Sequence, residues 1–168
     1  LISMDHWDVF FTDEAELNRA RREHLEDIME TLPWVATIDK FQHWIYENPN
    51  HTVEERRQEW NRIFAQFSDT VTDWTGFETA RDYLWQKQLH LYEVPFYYIE
   101  YGMAQLGAIA VWMNFRKDSR EGLQGYQNAL KLGYLRTIPE IYEAAGIRFD
   151  FSRDYIRELM GFVRNELR

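Results

Sequence analysis

Apolar positions along this chain recur with helical rather than strand spacing. Leu17, Leu25, Ile28 and Leu32 share one face of a first predicted helix. Thr12 or Asp13 can cap its start, and Glu14 and Glu16 lie in the opening turn, where the helix dipole favours acids. Pro33 marks its predicted end. A second helix is predicted from about Trp34 to Glu47, with Val35, Ile38, Phe41 and Ile45 inward, stopped by Asn48-Pro49-Asn50. Thr52, with Glu55 three residues on, forms a capping box that opens a helix through about Phe67. After a turn-rich stretch from Ser68 to Gly76, helical pattern resumes from Phe77 to about Arg116. Pro95 interrupts it by removing a backbone donor and pushing Val94 from helical geometry, which predicts two helices or one sharply kinked helix. Asp118 or Ser119 caps the next helix, through about Leu132, with Gly133 as its stop. Thr137-Ile138-Pro139 begins a short helix ending at Gly146, Phe149-Asp150-Phe151 is an extended connector, and Ser152 caps a last helix to Arg168. No period-two alternation is sustained and no internal repeat appears. The pattern predicts an all-α fold of about seven helices, as a single domain over residues 1–168.

Composition narrows the function classes. The 168 residues carry 19 Lys plus Arg against 28 Asp plus Glu, a net charge of −9, which argues against a phosphate-neutralising nucleic-acid surface. With no cysteine, a disulfide scaffold, a thiolate metal site and a cysteine nucleophile are excluded. The most apolar stretch, Tyr101 to Met113, is 13 residues long and contains Gln105. A membrane-spanning helix needs roughly 20 apolar residues, so this one is predicted to be a buried core helix. The opening LISMDHWDVFF lacks a basic n-region and a cleavage site, so it is not a signal peptide, and the expected compartment is cytoplasmic. A start in apolar sequence is instead the pattern expected of a truncated parent.

The 11 Phe, 7 Trp and 10 Tyr are a heavy aromatic load. Trp44, Phe64, Trp85 and Trp112 sit within helical patterns and are expected to pack between helices. Trp7, Phe10 and Phe11 are expected to pack on a segment outside this chain.

Candidate chemistry is sparse. No H-E-x-x-H occurs, His24, His43 and His51 have no mutual ligand spacing, and His90-x-x-Glu93 reverses the order used in helical di-iron sites. Asp39 and His43, four apart on one helix, read better as a hydrogen-bonded surface pair than as ion ligands. No G-x-S-x-G elbow is present. Gly102, Ala104, Gly107, Ala108 and Ala110 read as small residues for close helix packing. The informative stretch is QLHLYEVPFYYIEYGMAQ, residues 88–105. If it were continuously helical, His90, Val94, Tyr97 and Tyr101 would share one stripe, with Tyr98 on the adjacent face. Phenols are neutral donors at pH 7 and can stabilise an oxyanion, and an imidazole beside them can add a donor or orient substrate. Spacing alone favours a tyrosine-rich core whose hydroxyls find backbone partners.

LISMDHWDVFF, LPWVATIDKFQHWIYENP, HLYEVPFYYIEYGMAQLGA and AGIRFDFS together resemble the oligoendopeptidase F branch of the thimet-oligopeptidase-like zinc metallopeptidases. The resemblance runs over nearly the whole chain and corresponds to the C-terminal part of that family's catalytic domain only. It implies a larger helical metallopeptidase fold that hydrolyses short peptides. Zinc in the complete parent would be held by H-E-x-x-H plus a Glu on a following helix, and LISM resembles the end of that helix, so the ligands would precede Leu1. No zinc would then be bound by this chain, which is expected to be inactive alone. The resemblance assigns Tyr101 to hydrogen-bonding the tetrahedral oxyanion and His90 to contacting substrate and the same intermediate. Tyr98 and Tyr97 match accompanying tyrosines near the peptide backbone. The implied partners are short peptides and the missing N-terminal part of the catalytic domain, with room for self-association and no nucleic acid or membrane. The alternative is a catalytically inactive all-α binding or scaffold protein that uses an aromatic face.

Overall fold

The protein, described here over residues 1–167 by a computed structural model, is all-helical, with no strand among the described residues. A 3-10 helix spans Ile2–Val9, followed by α1 (Glu14–Glu47), α2 (Val53–Phe67) and α3 (Glu78–Asp82). A 3-10 turn at Leu84–Lys87 leads to α4 (His90–Glu93), α5 (Ile99–Lys117), α6 (Ser119–Leu132), α7 (Ile138–Ala144) and α8 (Arg153–Glu166). The chain divides into two compact units, one formed by Met29–Gly102 and the other by Leu1–Ile28 with the chain from Met103 onward. Among the described residues no helix is long and apolar enough to cross a membrane.

The caps form where the sequence predicts them. Asp13 Oδ1 accepts the Glu16 N–H (2.9 Å), and Thr52 and Glu55 complete a reciprocal capping box. Asp118 accepts from Arg120 and Glu121, Thr137 pairs with Glu140, and Ser152 accepts from Tyr155. Pro33 behaves differently. It does not end a helix but lies inside α1, so the two helices predicted on either side of it are one. An interior proline costs about 3 kcal/mol. Val35, Ile38 and Phe41, at most 1% exposed, immediately follow it on the helical face, and burying each contributes about 1.5–3 kcal/mol. Burial therefore outweighs the broken ladder.

In the Met29–Gly102 unit, Ile38, Phe41, Trp60, Ile63 and Trp85 form the core, with Trp34, Trp44, Phe64, Leu91 and Tyr98 packed against it. Phe41 meets Trp60 edge-on at 5.1 Å and Trp85 tilted at 5.4 Å, while Phe64 stacks on Trp60. The edge-on contact sets the positive edge of one ring on the negative face of another. Beside this core Asp82, whose side chain is 10% exposed, accepts from Arg57 (2.7 Å) and Asn61 (2.7 Å), and Arg57 also pairs with Glu54. Arg57 and then Gln58 hydrogen-bond the Glu54 carboxylate and hold its pKa down to about 2. At Asp82 burial pushes the carboxyl up, but the hydrogen bonds from Arg57 and Asn61 and the charges of Arg57 and Arg81 outweigh it, leaving a net lowering below 3.8. A carboxyl depressed in the folded state contributes stability above its unfolded value and loses it as pH falls through the folded one. Asp82→Asn should therefore lower the thermal midpoint at pH 7, and its difference from wild type should shrink below pH about 4. Thermal melts of both proteins from pH 7 to 3 check this, and a constant difference would sink the pairing argument.

In the other unit Ile109, Leu159 and Val163 are fully buried, and Trp112 meets Phe162 at 4.8 Å. Val111, Ala129 and Ala145 tie α5, α6 and the end of α7 together. A Cβ at Gly122 would lie 2.6 Å from the backbone N and Cα of Phe115, atoms that cannot swing aside. Gly122→Ala is thus expected to destabilise by about 1–3 kcal/mol, read as a lower urea midpoint at unchanged m. Gly107 serves a similar end, since its missing side chain admits the Tyr142 phenol, which donates to the Met103 carbonyl (3.0 Å). Ala110 is buried as predicted, whereas Ala104 and Ala108 are exposed. They line an open apolar groove of about 690 Å³ with Ile2, Leu130 and Tyr134 rather than packing in the core. Trp44, Phe64, Trp85 and Trp112 pack as expected, while Phe10 is 80% exposed.

Candidate active site

The site is made by a break in the helical pattern. Val94, with φ −139° and ψ 74°, lies outside helical geometry, away from which the following proline biases it. The Tyr97 N–H then returns to the Val94 carbonyl (3.1 Å), closing a four-residue turn with Pro95 second and Phe96 third. Phe96 has φ 61°, the left-handed value that a type II turn demands at this position and that glycine usually supplies. For a phenylalanine this costs about 1–2 kcal/mol. The surroundings hold it there. Buried Gln42 accepts the Phe96 N–H through Oε1 (2.9 Å), and the Phe96 ring meets His43 (5.0 Å) and Tyr46 (4.9 Å).

The continuous helix over residues 88–105 is therefore not formed. His90 lies on the single turn of α4, Tyr97 and Tyr98 lie in the connecting segment, and Tyr101 lies on α5. Val94 belongs to the turn rather than to a stripe. The turn nonetheless gathers the four predicted side chains. His90 Nε2 is 3.2 Å from the Tyr101 hydroxyl. The His90 ring lies 4.9 Å from that of Tyr98 and 6.2 Å from that of Tyr97, nearly parallel to the latter. Tyr101 contacts both tyrosines, edge-on to Tyr97 at 5.8 Å and tilted at 5.2 Å to Tyr98. Tyr97 and Tyr101 are 43% and 44% exposed, so their hydroxyls are accessible, whereas His90 and Tyr98 are half-buried. Burial pushes the Tyr98 phenol up, opposed by the nearby Trp34 indole N–H and aided by Tyr101, so it remains a neutral donor.

Two residues of this constellation escaped sequence reasoning. Gln88 Nε2 lies 2.7 Å from His90 Nδ1, and the Trp34 indole N–H donates to Gln88 Oε1 (3.0 Å). Gln88 is only two residues before His90, a spacing that could have flagged it. Trp34 is 54 residues from Gln88, and no local pattern connects them. The Asp39–His43 pair forms as a carboxylate–imidazole contact of 3.6 Å, with burial pushing the Asp39 carboxyl up against the opposing charge of His43. Among the described residues no three His, Cys, Asp or Glu side chains gather closely enough to hold a metal ion, so they do not fit a zinc site.

The profile of peptidase family M3 matches residues 1–161. The chain belongs to peptidase family M3. This M3 peptidase chain aligns with a structure of PZ peptidase A with an inhibitor at 30% identity and a TM-score of 0.81, over 98% of this chain and 29% of that one. It aligns with an X-ray structure described as oligoendopeptidase F at 30% identity and a TM-score of 0.77, over 91% of this chain and 27% of that one. The M3 chain thus spans less than a third of the length of either structure. Its all-α architecture is the helical fold of these peptidases. No curated protein matches it.

Proposed function

We propose that this chain is the substrate-binding, oxyanion-stabilising C-terminal portion of a zinc oligoendopeptidase that hydrolyses short peptides. The observation that supports this best is the His90–Tyr101 contact, with the phenol accessible and Tyr97 and Tyr98 beside it. When a peptide carbonyl is attacked, negative charge develops on its oxygen. A neutral phenol held in advance by an imidazole donates to that oxygen with little reorganisation, which lowers the barrier more than it strengthens binding. Tyr101 takes this role, His90 positions it and contacts substrate, and the Tyr98 and Tyr97 hydroxyls bond the peptide backbone. The zinc of such an enzyme would be held by residues outside this chain, and in this reading the chain's partners are the peptide and the remainder of the catalytic domain.

The test compares the 168-residue chain with a complete M3 peptidase that contains it, assayed on short quenched-fluorescence peptides. The complete enzyme is expected to cleave them and the isolated chain to show no turnover with or without added zinc. Zinc-dependent cleavage by the isolated chain would overturn this division of labour. A complete enzyme indifferent to loss of the Tyr101 hydroxyl would favour a binding or scaffold role for the aromatic cluster instead.

A further inference from the structure

We propose that Trp34 and Gln88 are positioning residues that fix His90 in the tautomer with its hydrogen on Nε2, leaving the Tyr101 O–H free to donate to substrate. The catalytic half of this inference rests on the reading of Tyr101 given above, whereas the tautomer stands on hydrogen-bond chemistry alone. An indole N–H can only donate. At 3.0 Å from Trp34 Nε1, the Gln88 atom must be the carbonyl oxygen, because the flipped amide would set N–H against N–H. The Gln88 NH₂ then faces His90 Nδ1 at 2.7 Å. An NH₂ group offers only hydrogens, so Nδ1 must be the bare, accepting nitrogen.

A neutral imidazole carries one hydrogen, which this arrangement places on Nε2. Nε2 is 3.2 Å from the Tyr101 hydroxyl and donates to its oxygen. The phenol hydrogen therefore points elsewhere, and with Tyr101 44% exposed it has open space to reach a ligand. The opposite tautomer would present a bare Nε2, which would accept the Tyr101 hydrogen and consume the donor. The origin of the relay is itself immobilised. The Lys87 ammonium sits 4.4 Å over the Trp34 ring, and Trp34 meets fully buried Trp60 edge-on at 6.0 Å. The orientation of one core indole is thus passed through one amide to the protonation site of a surface imidazole.

The tautomer can be read without turnover. Long-range ¹H–¹⁵N spectra of the ¹⁵N-histidine-labelled 168-residue chain, at a pH where the imidazole is neutral, distinguish the two forms, and loss of one signal in His90→Gln assigns it. The wild type is expected to show the hydrogen on Nε2. In Gln88→Glu a carboxylate can only accept, from Trp34 and from Nδ1–H, so the hydrogen is expected to move to Nδ1. The Trp34 indole N–H resonance reports in the same sample that the site remains folded. In a complete peptidase Gln88→Glu is expected to lower kcat by up to about 10²-fold with KM little changed, and to add nothing to Tyr101→Phe in the double variant. A wild-type hydrogen on Nδ1, or a hydrogen that stays on Nε2 in Gln88→Glu, overturns the relay whatever Tyr101 does. The predicted tautomers together with an unchanged kcat in Tyr101→Phe would support the relay and strike only its catalytic reading.

Discussion

In a complete M3 peptidase containing this chain, Tyr101→Phe is expected to lower kcat by about 10²–10³-fold while moving KM little, the usual cost of losing one oxyanion donor. The substitution removes a single oxygen. The ring contacts that Tyr101 makes with His90, Tyr97 and Tyr98 are retained in Phe, so the fold of the turn is left alone. A donor aimed at charge that develops only in the transition state contributes to kcat, whereas a donor to the ground-state peptide contributes equally to both states and appears in KM. Michaelis parameters of the two enzymes on one short peptide separate these cases. A change confined to KM would remove Tyr101 from the oxyanion and return it to substrate binding. Tyr98→Phe provides the contrast, because a hydroxyl proposed to hold the peptide backbone should raise KM more than it lowers kcat.

Trp60→Ala is expected to have the largest effect on stability, about 3–5 kcal/mol, against a typical total of about 5–15 kcal/mol for a domain. Trp60 is fully buried at the centre of the Met29–Gly102 unit, in contact with Phe41, Trp34 and Phe64. Its indole N–H donates to the Arg81 carbonyl (2.7 Å), a bond lost together with the ring. Urea unfolding followed by circular dichroism measures the loss as a lower midpoint, and Trp60→Phe should recover part of it by refilling the cavity. A loss under 1 kcal/mol for the alanine variant would show that the ring cluster is not the main support of this unit. Function should follow stability here, since Trp34 and Tyr98, which contact the site, pack directly on this core. Trp60→Ala in a complete enzyme is therefore expected to loosen the His90–Tyr101 pair as well.

The elements whose causes are local were legible in the sequence. A capping box needs two residues three apart, so Thr52 with Glu55 announced the start of α2, and Thr137-Ile138-Pro139 announced that of α7. Gly133, with φ 51°, marks the stop of α6 because a positive φ ends a right-handed helix and glycine, lacking a Cβ, adopts it at low cost. Pro95 announced a break for an equally local reason. His90 and the three tyrosines were legible as a group through the resemblance of HLYEVPFYYIEYG to a peptidase family, and the profile match over residues 1–161 bears out that family.

What depends on distant partners was decided only by the tertiary structure. Pro33 carries the same local signal as Pro95, yet α1 continues through it, because Ile38 and Phe41 are buried against Trp60, Ile63 and Trp85 far along the chain. The four site rings converge across a turn rather than along a helix. That turn exists because Gln42, on α1, holds a left-handed Phe96 that its own sequence disfavours. The tautomer of His90 follows from Trp34, whose partner Gln88 lies 54 residues away. By itself the sequence determined the all-α class, most helix starts, the break at Pro95 and the family. The tertiary structure decided which breaks are real and which side chains meet, since burial and hydrogen-bond partners belong to pairs of residues that only folding brings together.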